Sequence, residues 1–259
     1  AVLNKLGQYE EAITSYKKGI KLKPNFVETY YNLGNILINI GRNQEAVTIY
    51  NKAIELMPFA AEVHNNLGNA LKNIDKKEET IASYTKAIEL KPDFAEAYNN
   101  LGAALSDYGK YEEAITSYNK AIELRPDVAE AHYNLGNALK NIDQNEEAIT
   151  IYNKAIEFKY DYSEAHNNLG ITLHKQDYLN EAKASYRRAI ILTPGYSEPY
   201  NNLGITLEVK NCLEEAERSY RRAAELKIDY AEANYNRGNI LQEHGRLDKA
   251  VRSYIAALV

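Results

Sequence analysis

Apolar residues recur along this chain at helical spacing, in pairs of short runs. Tyr98, Leu101 and Leu105 share one helix face, and Ala114, Ile115, Tyr118, Ala121 and Ile122 share another. Apolar positions three and four apart are the mark of an amphipathic helix. The pattern predicts one helix from about Ala95 to Asp107 and a second from about Glu112 to Leu124, with Gly109 in the turn between them.

The same pair of runs returns at a fixed interval. Asn-Leu-Gly stands at 32–34, 66–68, 100–102, 134–136, 168–170 and 202–204, a step of 34 each time, and Asn236-Arg237-Gly238 continues the series. Numbering each repeat from 1 to 34 starts the repeats at Val27, Ala61, Ala95, Ala129, Ser163, Ser197 and Ala231. The inter-helix turn then falls at Gly41, Gly109 and Gly245, or at Asp75, Asp143, Asp177 and Asn211. All are residue types that tolerate a left-handed backbone. Capping boxes are expected where an acid or Asn precedes Glu by three: Asn25/Glu28, Asp93/Glu96, Asp127/Glu130, Asp161/Glu164 and Asp229/Glu232.

No break in the period appears, which predicts one continuous array over 1–259. It comprises a partial repeat at 1–26, full repeats at 27–60, 61–94, 95–128, 129–162, 163–196 and 197–230, and a truncated repeat at 231–259. Opening at position 9 and closing at position 29, the chain reads as an excised piece. With no polar capping helix at either end, end-to-end self-association through exposed stacking surfaces is expected.

Interior positions are stricter than the rest. Position 8 is glycine in all seven copies, and position 20 is alanine except at Thr80. Position 24 is tyrosine from Tyr16 to Tyr254, position 27 is Gly19 and then alanine, and position 11 is leucine from Leu3 to Leu241. Small residues let two helices approach, and large ones fill the space between successive hairpins. One hairpin cannot bury that face alone, so stacking supplies the stability. Two departures stand out: Thr80 should loosen its hairpin, and Arg237, in place of the position-7 leucine, must snorkel or find an acid, with Glu208 and Glu243 in reach.

Composition narrows the function classes. There are 22 Tyr, 4 Phe, no Trp and one cysteine, and the formal net charge is −5. A lone Cys212, expected exposed in a turn, excludes an internal disulfide framework. No run of about eighteen apolar residues is present, so no membrane span is expected. Slight acidity gives no footprint for nucleic acid. His64, His132 and His166 hold the packing position 4, and His166 and His174 lie too far apart to share a metal. No phosphate loop, nucleophile elbow or metalloprotease motif occurs. No catalytic residue, metal or cofactor is therefore expected. Basic residues gather late, at Arg187-Arg188, Arg218 and Arg221-Arg222, on what should be a solvated outer face.

Throughout its length the chain resembles the tetratricopeptide repeat family. The resemblance rests on the 34-residue step, an aromatic-x-x-Leu-Gly opening, Ala at 20, an aromatic at 24, Ala at 27, and Pro at 32 in Pro24, Pro58, Pro92, Pro126 and Pro194. Position 4, usually Trp, holds Tyr30, His64, Tyr98, His132, His166, Tyr200 and Asn234, and proline gives way to Tyr160 and Ile228. The resemblance implies an all-α solenoid, a right-handed superhelix of antiparallel hairpins whose first helices line a concave groove. It also implies a non-catalytic, cytoplasmic scaffold for a protein partner. An alternative is the substrate-recognition arm of a larger enzyme, since the unbroken array resembles the repeats of O-linked N-acetylglucosamine transferases. Chaperone-tail receptors of the family use Lys or Arg at positions 2, 5 and 6, where this chain has Glu, Asn and Tyr.

The constellation pointing to a ligand is asparagine. Position 6 holds Asn32, Asn66, Asn100, Asn134, Asn168, Asn202 and Asn236, and position 9 adds Asn35, Asn69, Asn137 and Asn239. Position 5 carries Asn65, Asn99, Asn167 and Asn201, or Tyr31, Tyr133 and Tyr235. Positions 2, 6, 9 and 13 lie along one strip of a helix. An amide offers an acceptor and two donors, enough to pair both polar groups of a peptide unit. A ladder of them is expected to hold an extended peptide, with the three tyrosines as apolar contacts. Tying helices together is the competing role for the same amides.

Overall fold

The computed structural model describes residues 2–258, with side chains from 8 to 258. The expectations for Ala1, the Leu3 side chain and Val259 lie outside the described residues. Helices account for nearly all of the rest: α1 (Val2–Leu22), α2 (Val27–Asn39), α3 (Asn43–Leu56), α4 (Ala61–Lys72), α5 (Lys77–Leu90), α6 (Ala95–Asp107) and α7 (Tyr111–Leu124). Then follow α8 (Ala129–Asn141), α9 (Asn145–Phe158), α10 (Ser163–Lys175), α11 (Leu179–Leu192), α12 (Ser197–Val209), α13 (Leu213–Leu226), α14 (Ala231–Glu243) and α15 (Leu247–Ala257). From α2 onward, every predicted pair of helices is present at its predicted place.

Two compact units meet the eye, one up to Pro126 and one from Asp127. In the first, the hairpins α2–α3, α4–α5 and α6–α7 stack in order behind α1. In the second, α8–α9, α10–α11, α12–α13 and α14–α15 do the same. Each is an all-α solenoid in which a hairpin packs on its chain neighbours. The leading segment differs from expectation. α1 runs unbroken from Val2 to Leu22, joining the supposed first-helix remnant to the second helix.

Turns are as predicted. Gly41, Gly109 and Gly245 have φ of +77°, +76° and +67°, while Asp75, Asp143, Asp177 and Asn211 lie between +55° and +63°. The capping boxes are not formed. The N-cap residues are Phe26, Ala60, Phe94, Val128, Tyr162, Tyr196 and Tyr230, none with a side-chain cap bond. The reason is local. The preceding Asp or Asn sits one residue too early, inside a tight turn such as Lys91-Pro92-Asp93-Phe94, closed by the Phe94 amide on the Lys91 carbonyl at 3.0 Å. Proline at the second place of that turn presets its backbone angle.

The core is built from one contact repeated. Tyr50, Tyr84, Tyr118, Tyr152, Tyr186 and Tyr220 are each at most 2% exposed. Each ring lies on the position-8 glycine of its own hairpin, where a Cβ would stand only 2.5–2.7 Å from the ring. Glycine there is what lets the first helix close over the tyrosine. Thr80 is as buried as the alanines it replaces, and beside it Tyr84 is 1% exposed, so the looser packing expected there is not found. Its hydroxyl donates to the Lys76 carbonyl one turn back at 2.8 Å, which keeps the polar atom satisfied.

Arg237 finds an acid, though neither of those expected. Its Nε donates to Oε1 of Glu217 at 2.9 Å. Glu208 is engaged elsewhere, accepting from the Tyr220 hydroxyl at 2.8 Å. Glu217 holds position 21, which is Val47, Ile81, Ile115 and Ile149 in earlier hairpins and Lys183 in the one just before it. At this junction alone the position-7 leucine is also replaced, and the two residues form an ion pair.

Candidate functional site

The position-6 asparagines all face the first-helix side, and all seven are half-buried. Their amides are not idle. In the first unit Asn66 donates through Nδ2 to Asn35 Oδ1 at 2.8 Å, and Asn100 donates to Asn65 Oδ1 at 3.0 Å. In the second, Asn168 donates to Asn137 Oδ1 at 2.8 Å and to the Tyr133 hydroxyl at 3.1 Å. Asn202 reaches Asn167 Oδ1 at 3.1 Å, and Asn236 reaches Asn201 Oδ1 at 3.4 Å. Each bond joins one hairpin to the one before it. The competing role is therefore real: part of the ladder braces the stack.

Position 9 belongs to the same network. Asn35, Asn69, Asn137 and Asn239 accept from the hydroxyls of Tyr50, Tyr84, Tyr152 and Tyr254 at 2.6, 2.6, 2.7 and 3.0 Å. The deep tyrosines thus pin the groove-side amides. Burial raises the phenol pKa of Tyr50, Tyr84 and Tyr152, keeping them protonated donors. Asn65, Asn167 and Asn201 are buried, so these three position-5 amides offer little of themselves to a ligand.

Glutamate at position 2 does what spacing did not reveal. Glu96 accepts from Asn65 at 3.2 Å and Glu232 from Asn201 at 3.1 Å, each across to the preceding hairpin. The capping-box reading hid this link, because i to i+3 spacing on one helix says nothing about the neighbouring one. Tyr133 packs at 4.8 Å from Tyr162 and 6.2 Å from Tyr152, centroid to centroid, whereas Tyr235 is 56% exposed. Tyr31 is half-buried.

What remains for a ligand is the carbonyl side of the ladder. Among the described residues, Asn100, Asn202 and Asn236 donate through Nδ2 and receive no protein donor on Oδ1. None of those oxygens is sealed from solvent. On these three rungs one acceptor and one spare proton persist after the bracing bonds, whereas Asn66 and Asn168 already accept on Oδ1 from Asn65 and Asn167.

The other sequence candidates fall out as packing. Tyr30 donates to the Pro24 carbonyl at 2.9 Å, and His64 Nε2 lies 3.0 Å from that of Pro58. His132 stacks on Phe158 at 5.3 Å. Burial lowers the pKa of His166, whose Nε2 is 3.3 Å from the Tyr160 carbonyl. Cys212 is half-buried rather than exposed, because it is the N-cap of α13 and tucks its Sγ toward the Lys210 carbonyl at 3.6 Å.

Sequence profiles described as TPR repeat match residues 2–41, 34–75, 104–143 and 142–177, more than half of the chain. The chain belongs to the tetratricopeptide repeat family. Further profiles described as tetratricopeptide repeat match 61–94, 83–116, 163–196 and 203–259. No curated protein matches. Among solved structures, YrrB, described as a TPR protein with an unusual peptide-binding site, is 27% identical, with a TM-score of 0.61, and the match covers 71% of this chain and 95% of that one. MamA is 28% identical with a TM-score of 0.60, covering 62% and 94%. PilF of Pseudomonas aeruginosa, at 19% identity and a TM-score of 0.71 over 85% and 96%, shares the fold. These neighbours support an interaction role for the tetratricopeptide hairpins. No helix among the described residues is long and apolar enough to cross a membrane.

Proposed function

We propose that the first-helix face is a binding surface for an extended peptide or protein segment, read mainly through its main chain. The observation that carries this is the set of solvent-reachable amide oxygens on Asn100, Asn202 and Asn236, held in place by bonds to neighbouring hairpins. A rung anchored at Nδ2 presents Oδ1 in a fixed direction, which lowers the ordering cost of binding. The similarity to a protein described as having a peptide-binding site supports the same reading.

Hairpins stand about 10 Å apart and an extended peptide advances about 3.3 Å per residue, so one amide meets roughly every third peptide residue within a unit. Each bond contributes about 0.5–1.5 kcal/mol net. Ordering of the peptide opposes this, so affinity is micromolar. Tyr235, exposed beside the last amides, supplies apolar surface for a side chain.

The test is a screen of fluorescent, unstructured peptides against the parent and against Asn202→Ala with Asn236→Ala. Removing both oxygens should weaken the best peptides at least tenfold in the folded protein. The melting temperature should also drop a few degrees, because two bracing bonds go. Unchanged affinity per folded molecule would reduce the ladder to a brace.

A further inference from the structure

The six full hairpins from α2 to α13 serve as internal controls for one another, and one of them differs on its second helix. Position 26 is Lys52, Lys86, Lys120 or Lys154, and position 29 is glutamate in the same hairpins. The pair closes one turn apart, at 2.7 Å in Lys52–Glu55, 2.9 Å in Lys86–Glu89 and 2.7 Å in Lys120–Glu123. In α11 the cation is kept as Arg188, but its acid is replaced by Ile191, 66% exposed. Position 25, Asn or Thr from α3 to α9, becomes Arg187. α11 therefore carries Lys183, Arg187 and Arg188 against Glu181 alone, in a chain whose net charge is −5.

Beside this change lies a cleft. It measures about 390 Å³ between α11, α12 and α13. Its apolar side is Ile190, Ile191 and Tyr200, over a floor of the buried Leu203 and Leu207. Arg187, Arg218 and Arg222 edge it. Glu215 takes Arg187 at 3.2 Å and Glu225 takes Arg222 at 3.2 Å. Among the described residues, Arg188 and Arg218 have no acid within 4 Å. An exposed isoleucine over an apolar slot, ringed by guanidinium groups with charge to spare, is not what a solvated outer face needs. The glutamate of the other hairpins would do that better.

We propose that this cleft docks an acidic peptide segment carrying an apolar anchor. The anchor enters between Ile190, Ile191 and Tyr200, and flanking carboxylates pair with Arg218 and Arg188. Carboxylates rather than nucleic-acid phosphates are favoured because an apolar side chain is needed to fill the slot. Arginine suits the task, since its planar fork meets a carboxylate with two parallel bonds. This surface is separate from the first-helix face and does not depend on it.

The probe is a short fluorescein-labelled peptide of glutamates interrupted by leucines, followed by anisotropy. The decisive variant is Ile191→Glu. It restores the residue that the other hairpins carry and gives Arg188 its partner, so folding is safe and a thermal melt confirms it. Affinity should fall at least tenfold. Ile191→Ser, which adds no charge, should weaken binding severalfold, as should Arg218→Gln. Added salt should weaken the parent complex, while Asn202→Ala should leave it intact. The proposal is overturned if Ile191→Glu binds the probe as the parent does, or if a lysine-for-glutamate probe binds equally well. It is equally overturned if Asn202→Ala abolishes binding, or if a single-stranded oligonucleotide binds more tightly with the same dependence on Ile191.

Discussion

The ion pair between Arg237 and Glu217 replaces an apolar contact and should cost stability that can be recovered. Arg237 is 25% and Glu217 13% exposed at the side chain, so both charges are largely out of water. In the other hairpins the same places hold leucine at position 7 and, in most, valine or isoleucine at position 21. Breaking a fully buried pair by removing one partner costs about 3–5 kcal/mol. Arg237 keeps a quarter of its surface in solvent and can lean toward it, so Glu217→Ala should cost about 1–2 kcal/mol after that screening. Replacing both, as Glu217→Ile with Arg237→Leu, removes the desolvation of two charges and restores apolar packing. That change should stabilise by about 1–2 kcal/mol. At this chain length 1 kcal/mol corresponds to about 2–4 °C in melting temperature. Urea unfolding followed by circular dichroism measures the four corners of the double-mutant cycle. Hydrogen exchange in α13 and α14 then locates the effect, since repeat arrays open locally. A Glu217→Ala variant within a few tenths of a kcal/mol of the parent would refute the reasoning. So would a double variant less stable than either single one.

Two further outcomes follow from the tyrosine column. Gly136→Ala would place a Cβ 2.7 Å from the Tyr152 ring, which is fully enclosed and cannot retreat; the loss should be about 2–3 kcal/mol, read by urea unfolding, and a neutral substitution would show that the helices separate freely. Burial raises the phenol pKa of Tyr50, Tyr84, Tyr152, Tyr186 and Tyr220 above the ordinary value of about 10. The folded state holds these protons longer than the unfolded one, so their contribution is complete below about pH 10 and is lost above it, by up to about 1.4 kcal/mol per pH unit for each tyrosine. Melting temperatures should be flat up to about pH 9.5 and fall steeply beyond, and a flat profile to about pH 11 would contradict it.

Much of this molecule is a property of short stretches. The 34-residue step, the two helices in each repeat and the seven turns are legible because helix spacing and a left-handed turn residue act within a few positions. The glycine and tyrosine columns were legible, but not their contact: the tyrosines were expected between successive hairpins, and each instead lies on the glycine of its own hairpin. What spacing could not decide was which of several chemically suitable groups a side chain would meet. Asp93 and Glu96 have capping-box spacing, yet a proline-led turn places the aspartate one residue early, and Glu96 turns to Asn65 on the neighbouring hairpin. The sequence offered Arg237 two acids, Glu208 and Glu243, and packing delivered Glu217 instead. The asparagine column and its two candidate roles were visible in the sequence, but which amides brace the stack, and onto which partners, was not. Bonds of that kind depend on how far one helix stands from the next and which rotamers the buried tyrosines leave open. Those quantities exist only once the hairpins are stacked.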